Sequence, residues 1–177
     1  GSTDGLFEHI TRKISFMLVV DDFGIKYEKQ DDVDHLLKIM WMKYTFKVDM
    51  EAKQYIDIHL DWNYDKRVLI CSMKGYVQQA LKELEHVANT RHQYAAPSHI
   101  DRPNYYYGAR VQYATDDETD KLDESKIKYL KRVVGKFLYY ARAIDTTMAH
   151  AINDIGAAVA NGTDATQKAV NHFLDYA

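Results

Sequence analysis

The sequence predicts an α+β fold, on three observations. Residues 13–27 and 54–73 each read as a β-hairpin, with short apolar runs on either side of a turn. Residues 33–44, 75–87 and most of 126–177 carry apolar side chains at three-and-four spacing, the mark of helices with one buried face. Between these groups, residues 88–125 lose all periodicity. The expected order is hairpin, helix, strand, hairpin, helix, connector, helices. An antiparallel sheet with helices on one side, followed by a mainly helical part, is the natural packing for that order.

The first hairpin is KISFMLVVDDFGIKY, a β-branched run, then Asp21-Asp22 at the bend, then a second short apolar run. Asp31-Asp32 can cap the following helix, whose stripe is Val33, Leu36, Leu37, Met40, Trp41 and Tyr44. Residues 44–48 read as a strand. Residues 54–62 alternate, with Ile56, Ile58 and Leu60 on one face and Tyr55, Asp57 and His59 on the other. The turn Asn63-Tyr64-Asp65-Lys66 leads to a partner strand over 67–73. Val77, Ala80, Leu81, Leu84 and Val87 then form one face of a helix over 75–87.

The stretch 88–125 holds both prolines, Tyr105-Tyr106-Tyr107 and an acidic run, and a connector of that length marks a subdomain boundary. Three helices are expected after it. The first has the stripe Ile127, Leu130, Val134, Phe137, Leu138 and Ala141. Asp145 caps the second, which turns Met148, Ala151, Ile152, Ile155 and Val159 one way, and its alanines suit close packing on a neighbour. Asn161-Gly162 ends it through the left-handed conformation glycine accepts. Asp164 and Gln167 form a capping box for the third, which buries Val170, Phe173 and Leu174. These readings place boundaries at 1–73, 74–92, 93–125 and 126–177.

Bulk properties narrow the function. At 177 residues the chain holds one compact core or two small ones, so a large multidomain enzyme is excluded. Lysine plus arginine total 23 against 26 acidic residues, which leaves no basic excess for general nucleic-acid binding; any such contact must be local. The single cysteine, Cys71, forbids an intramolecular disulfide and a multi-cysteine zinc site. No apolar run approaches the roughly 20 residues that cross a bilayer, so no membrane association is expected.

Two carboxylates side by side on a tight turn concentrate negative charge, and a cation relieves it. Magnesium, a hard ion that favours oxygen ligands and phosphate company, suits Asp21 and Asp22. The plainer alternative is that aspartate is common in turns whatever its job. Asp22-Phe23-Gly24 also spells a kinase magnesium motif, but no HRD-type catalytic loop precedes it, and the residues after His9 are Ile10 and Thr11. His86, His92 and His99 read as surface histidines, with no cysteine near them to build a zinc site. The tyrosine trio beside Arg102 and Arg110 could stack on unpaired bases, although packing onto the body is the commoner use.

The string Phe16-Met17-Leu18-Val19-Val20-Asp21-Asp22-Phe23-Gly24 resembles the YxDD-type box of reverse transcriptases, with Val19 where most members have tyrosine or phenylalanine. Residues 69–77, LICSMKGYV, resemble the LSQ-x-x-YI segment that opens the thumb-side helix of copia-like LTR retrotransposon polymerases. Residues 133–142, VVGKFLYYAR, resemble their LVGSLMYLA helix. The three matches keep the family's order and approximate spacing over nearly the whole chain.

The resemblance implies the C-terminal part of a palm-type sheet over 1–73, a thumb-like helix over 74–92, and a helical thumb and connection part over 126–177. It implies a two-metal site for phosphoryl transfer, with Asp21 and Asp22 as catalytic and metal-binding carboxylates and magnesium or manganese as the cofactor. Residues 54–73 take the place of the primer grip. Lys74, Lys82 and Arg91 are candidates for phosphate contact, although isolated lysines on a wet helix face more often serve solubility.

The family's third carboxylate and its template-supporting segment lie upstream of this box, and only twenty residues precede Asp21. The chain is therefore expected to be a fragment of an RNA-directed DNA polymerase, inactive alone. Its partners would be template-primer and dNTP in the full enzyme, together with missing fingers and RNase H modules. Its place would be inside the cell, in a cytoplasmic particle or the nucleus. Uncovered strand edges predict self-association. The alternative is a non-catalytic retroelement-derived module that binds protein or nucleic acid.

Overall fold

A computed structural model of the protein describes residues 4–88, 94–99 and 117–177. The chain divides into two compact units, Gly1–Met73 and Lys74–Ala177. The architecture is mixed α+β: two small antiparallel three-stranded sheets lie in the first unit, and the second is helical. Among the described residues no helix is long and apolar enough to cross a membrane.

In the first unit, β1 (Leu6–Glu8), β2 (Ile14–Val19) and β3 (Asp22–Tyr27) form one sheet in the order β1-β2-β3. The β2–β3 hairpin is the expected one; β1 adds a strand too short to leave a pattern in the sequence. Ile14 pairs with Tyr27 and Phe16 with Ile25, so Ile14, Phe16 and Ile25 share a face. Helix α1 (Gln30–Trp41) covers that face, and Ile14, Val33 and Leu37 make a small core with Ile25, Leu36 and Phe46 packed against it.

Neither Asp31 nor Asp32 caps α1. The helix starts at Gln30 without a side-chain cap, and Asp32 is buried in an ion pair with Arg12 at 2.7 Å. Both aspartates still lie in the first turn, where the helix dipole favours negative charge.

Residues 44–48 are not a strand. No ladder partner lies beside them among the described residues; Phe46 instead turns back to stack on Trp41, with ring centroids 5.5 Å apart. The alternating run over 54–62 is also broken in two. Strands β4 (Gln54–Tyr55) and β5 (Ile58–Asn63) face each other across a two-residue turn at Ile56 and Asp57, both at positive φ, 45° and 63°. Such turns twist with the strands they join, but a β-branched residue rarely adopts that φ, which hid the turn in the sequence. Strand β6 (Val68–Ser72) completes the order β4-β5-β6, and at the tip Trp62 stacks on Tyr64.

The second unit is built from α2 (Tyr76–Glu83), α3 (Glu124–Ala143), α4 (Ala149–Ala158) and α5 (Asp164–Tyr176). Leu130, Val133 and Phe137 of α3, Ile152 of α4, and Val170, Phe173 and Leu174 of α5 are almost wholly shielded from solvent. Asp123 caps α3 by accepting from the Lys126 amide, and Asp145 caps a short 3-10 turn, Thr146–Met148, that enters α4.

Several boundaries differ from expectation. Helix α2 stops at Glu83, because Glu85 takes a left-handed φ of 54°; Val87 is left exposed and off the stripe. His86 is not a surface histidine: it sits 2.8 Å from Asp175, and both side chains are about nine-tenths shielded. The capping box of α5 begins one residue early, at Thr163, which exchanges hydrogen bonds with Thr166. Gly162 has an ordinary φ of −58°, so handedness is not why glycine stands there. A Cβ at that position would lie 2.7 Å from the end of Ile127, so the close approach of α3 excludes a side chain.

Candidate functional site

Val19 pairs with Asp22, which leaves Val20 and Asp21 as the two-residue loop between β2 and β3. Val20 takes φ 56° with its side chain in solvent, the sign a type II′ turn needs at its first central position. A valine in that conformation is strained. Asp21 and Asp22 are both exposed, and neither carboxylate makes a hydrogen bond or ion pair among the described residues.

Side chains alternate along β3, so Asp22 and Gly24 lie on the face opposite the one that Ile25 turns toward α1. Tyr55 of β4 lies over that opposite face. A Cβ on Gly24 would be 3.2 Å from the Tyr55 Cε2 and Cζ atoms and 3.5 Å from its hydroxyl oxygen, so the glycine leaves the strand bare for the phenol end of the ring. The hydroxyl is buried, with no hydrogen-bond partner among the described residues. Burial first, and then the charge of Asp22, hold the phenol above its usual range.

No family model, curated protein or solved structure matches this chain.

Among the described residues no group of three or more histidine, cysteine, aspartate or glutamate side chains is placed to hold a metal ion. Two carboxylates alone make no closed cage. They do fit the way magnesium is commonly held, by one or two carboxylates, water and the phosphates of a substrate. The donor set at Asp21 and Asp22 thus suits a cation shared with a phosphate-bearing ligand.

Lys74 precedes α2 and Lys82 lies in its last turn; both are exposed and belong to the second unit. Next to Lys82, Glu83 accepts from Lys136 of α3 and from Gln79, and these contacts hold its carboxyl below the usual range. Arg132 also donates to the Glu83 carbonyl, so this end of α2 is pinned to α3. Arg91, His92, Arg102, Tyr105, Tyr106, Tyr107 and Arg110 lie outside the described residues. His99 is within them, its ring 6.3 Å from that of His172. Sequence reasoning missed Tyr55, which it placed in an alternating strand as one of several outward residues. Its meeting with Gly24 is a long-range contact, and no local pattern carried it.

Proposed function

We propose that the chain is the palm, thumb and connection portion of a copia-like LTR retrotransposon reverse transcriptase, an RNA-directed DNA polymerase. One observation carries the reading beyond the motifs: the adjacent aspartates stand exposed at the end of the β2–β3 hairpin, Asp21 in the two-residue loop and Asp22 opening β3 on the sheet face away from α1. Tyr55 lies over Gly24 on that face, and the Asp22 end of the strand is left in solvent, where a phosphate-bearing ligand can approach.

Asp21 and Asp22 are the residues that would hold magnesium or manganese. When bound there, the metal supplies activation of a primer 3′-hydroxyl and neutralises a nucleotide's triphosphate. The chain's own part is to present the carboxylates at the exposed end of the β2–β3 hairpin. Lys74, Lys82 and Arg91 are assigned to the phosphate backbone of template-primer. Polymerisation is assigned to a fuller enzyme with fingers and RNase H modules. A cytoplasmic particle or the nucleus is the compartment this reading implies. The edge strands of the two three-stranded sheets favour self-association, and a monomer by light scattering at high concentration would count against it.

The test is manganese titration by calorimetry of the wild type, Asp21→Asn and Asp22→Asn, with and without a template-primer duplex. Binding that depends on both carboxylates and strengthens with duplex supports the polymerase reading. A flat response in all three proteins removes it and leaves the non-catalytic interaction module.

A further inference from the structure

We propose that Tyr55 is a positioning residue for Asp22, donating its phenolic hydroxyl to that carboxylate along the face of β3 turned away from α1. Only the consequence for metal binding rests on the polymerase reading; the contact itself does not.

Asp22 and Gly24 are two residues apart on one strand, so they point to the same face about 7 Å apart along it. The hydroxyl end of Tyr55 lies directly above Gly24, brought there by the tight turn at Ile56 and Asp57 that folds β4 back on β5. The hydroxyl is shielded from solvent and has no partner among the described residues, an arrangement that is costly for a buried donor. Asp22 is exposed and its carboxylate makes no hydrogen bond or ion pair among the described residues, so its side chain can swing along the strand toward the ring. A carboxylate held by a donor on one oxygen presents its other oxygen to a cation in a set direction, as outer-shell partners of metal ligands do.

Two measurements separate the proposal from the reading beneath it. The first is a double-mutant cycle in urea unfolding, without metal, over Tyr55→Phe and Asp22→Ala. Tyr55→Phe keeps the ring on Gly24 and removes only the hydroxyl. A hydrogen bond to a charged acceptor predicts a coupling of about tenfold in the unfolding constant. Additive effects within about twofold would overturn the proposal.

The second is manganese affinity. Tyr55→Phe should weaken it about tenfold while both aspartates remain. Gly24→Ala, whose methyl would press on the ring, should weaken it in the same direction. Coupling in the cycle with no manganese bound by the wild type would defeat the polymerase reading and leave the Tyr55 contact standing. Manganese bound equally well by wild type and Tyr55→Phe would defeat the positioning role, whatever the fate of the polymerase reading.

Discussion

Truncation of Phe137 to alanine probes the helical unit where its packing is densest. The ring is fully buried on α3 and meets Phe173 of α5 edge-on, with centroids 5.2 Å apart and planes at 86°. A phenylalanine buries roughly 200 Å², and at about 25 cal/mol per Å² its removal forfeits several kcal/mol, of which alanine's own methyl retains a small share. Neither α3 nor α5 can close the gap freely, because Leu130, Val133, Ile152 and Val170 already fill the surrounding space. The expected loss is about 4 kcal/mol, a large part of the roughly 5–15 kcal/mol that holds a domain folded. Urea unfolding followed by helical ellipticity measures it. Phe173→Ala should cost a similar amount, and the pair should couple by about 1 kcal/mol through the edge-to-face contact. A loss below about 1 kcal/mol for Phe137→Ala would show that the ring is not packed as described.

Other perturbations reach different parts of the molecule. Thr163→Ala removes the reciprocal cap of α5 and should lower stability by about 1 kcal/mol in the same assay; no change would mean the cap is idle. Asp117 accepts from Thr119 and Thr163, which hold its carboxyl below the usual value near 3.8. Its stabilising contribution is therefore complete above that value and is lost as pH falls through the lower folded-state value. In Asp117→Asn the acid limb of the stability profile should flatten, and an unaltered limb would refute the assignment. Val20→Gly relieves a valine at φ 56° whose side chain touches little, so it should stabilise by about 1 kcal/mol in urea unfolding. A comparable destabilisation would show that the turn gains from the side chain.

Helices were legible because their signal is local and repeated. The stripes through Leu130, Phe137 and Ala141, and through Val170, Phe173 and Leu174, are core in the folded chain. Strand limits were less so. Nothing in residues 54–62 announces a reversal at Ile56, since the statistics of positive φ point to glycine or asparagine. Residues 44–48 have strand-forming side chains but lie beside no open ladder, a property of the whole fold. Gly162 was located correctly as a helix end and explained wrongly, because the crowding by Ile127 is tertiary. At the site, an exposed hairpin end followed from two adjacent acids between apolar runs, but only Asp21 lies in the loop, and Asp22, expected at the bend, opens β3. The phenol of Tyr55, thirty-odd residues away in sequence, could be found only with the chain folded.

The two-residue loop at Val20 and Asp21 also makes the hairpin a counter of parity. Because strand side chains alternate strictly, a single residue inserted at the tip and absorbed as a one-step slip of β3 against β2 would transfer every side chain of that strand to the other face. Asp22 would then point toward the helix, and Ile25 toward water. Adding two residues restores the parity. The tip thus tolerates change in even steps, and a set of insertions of one, two and three residues would read that rule as an alternation in folding.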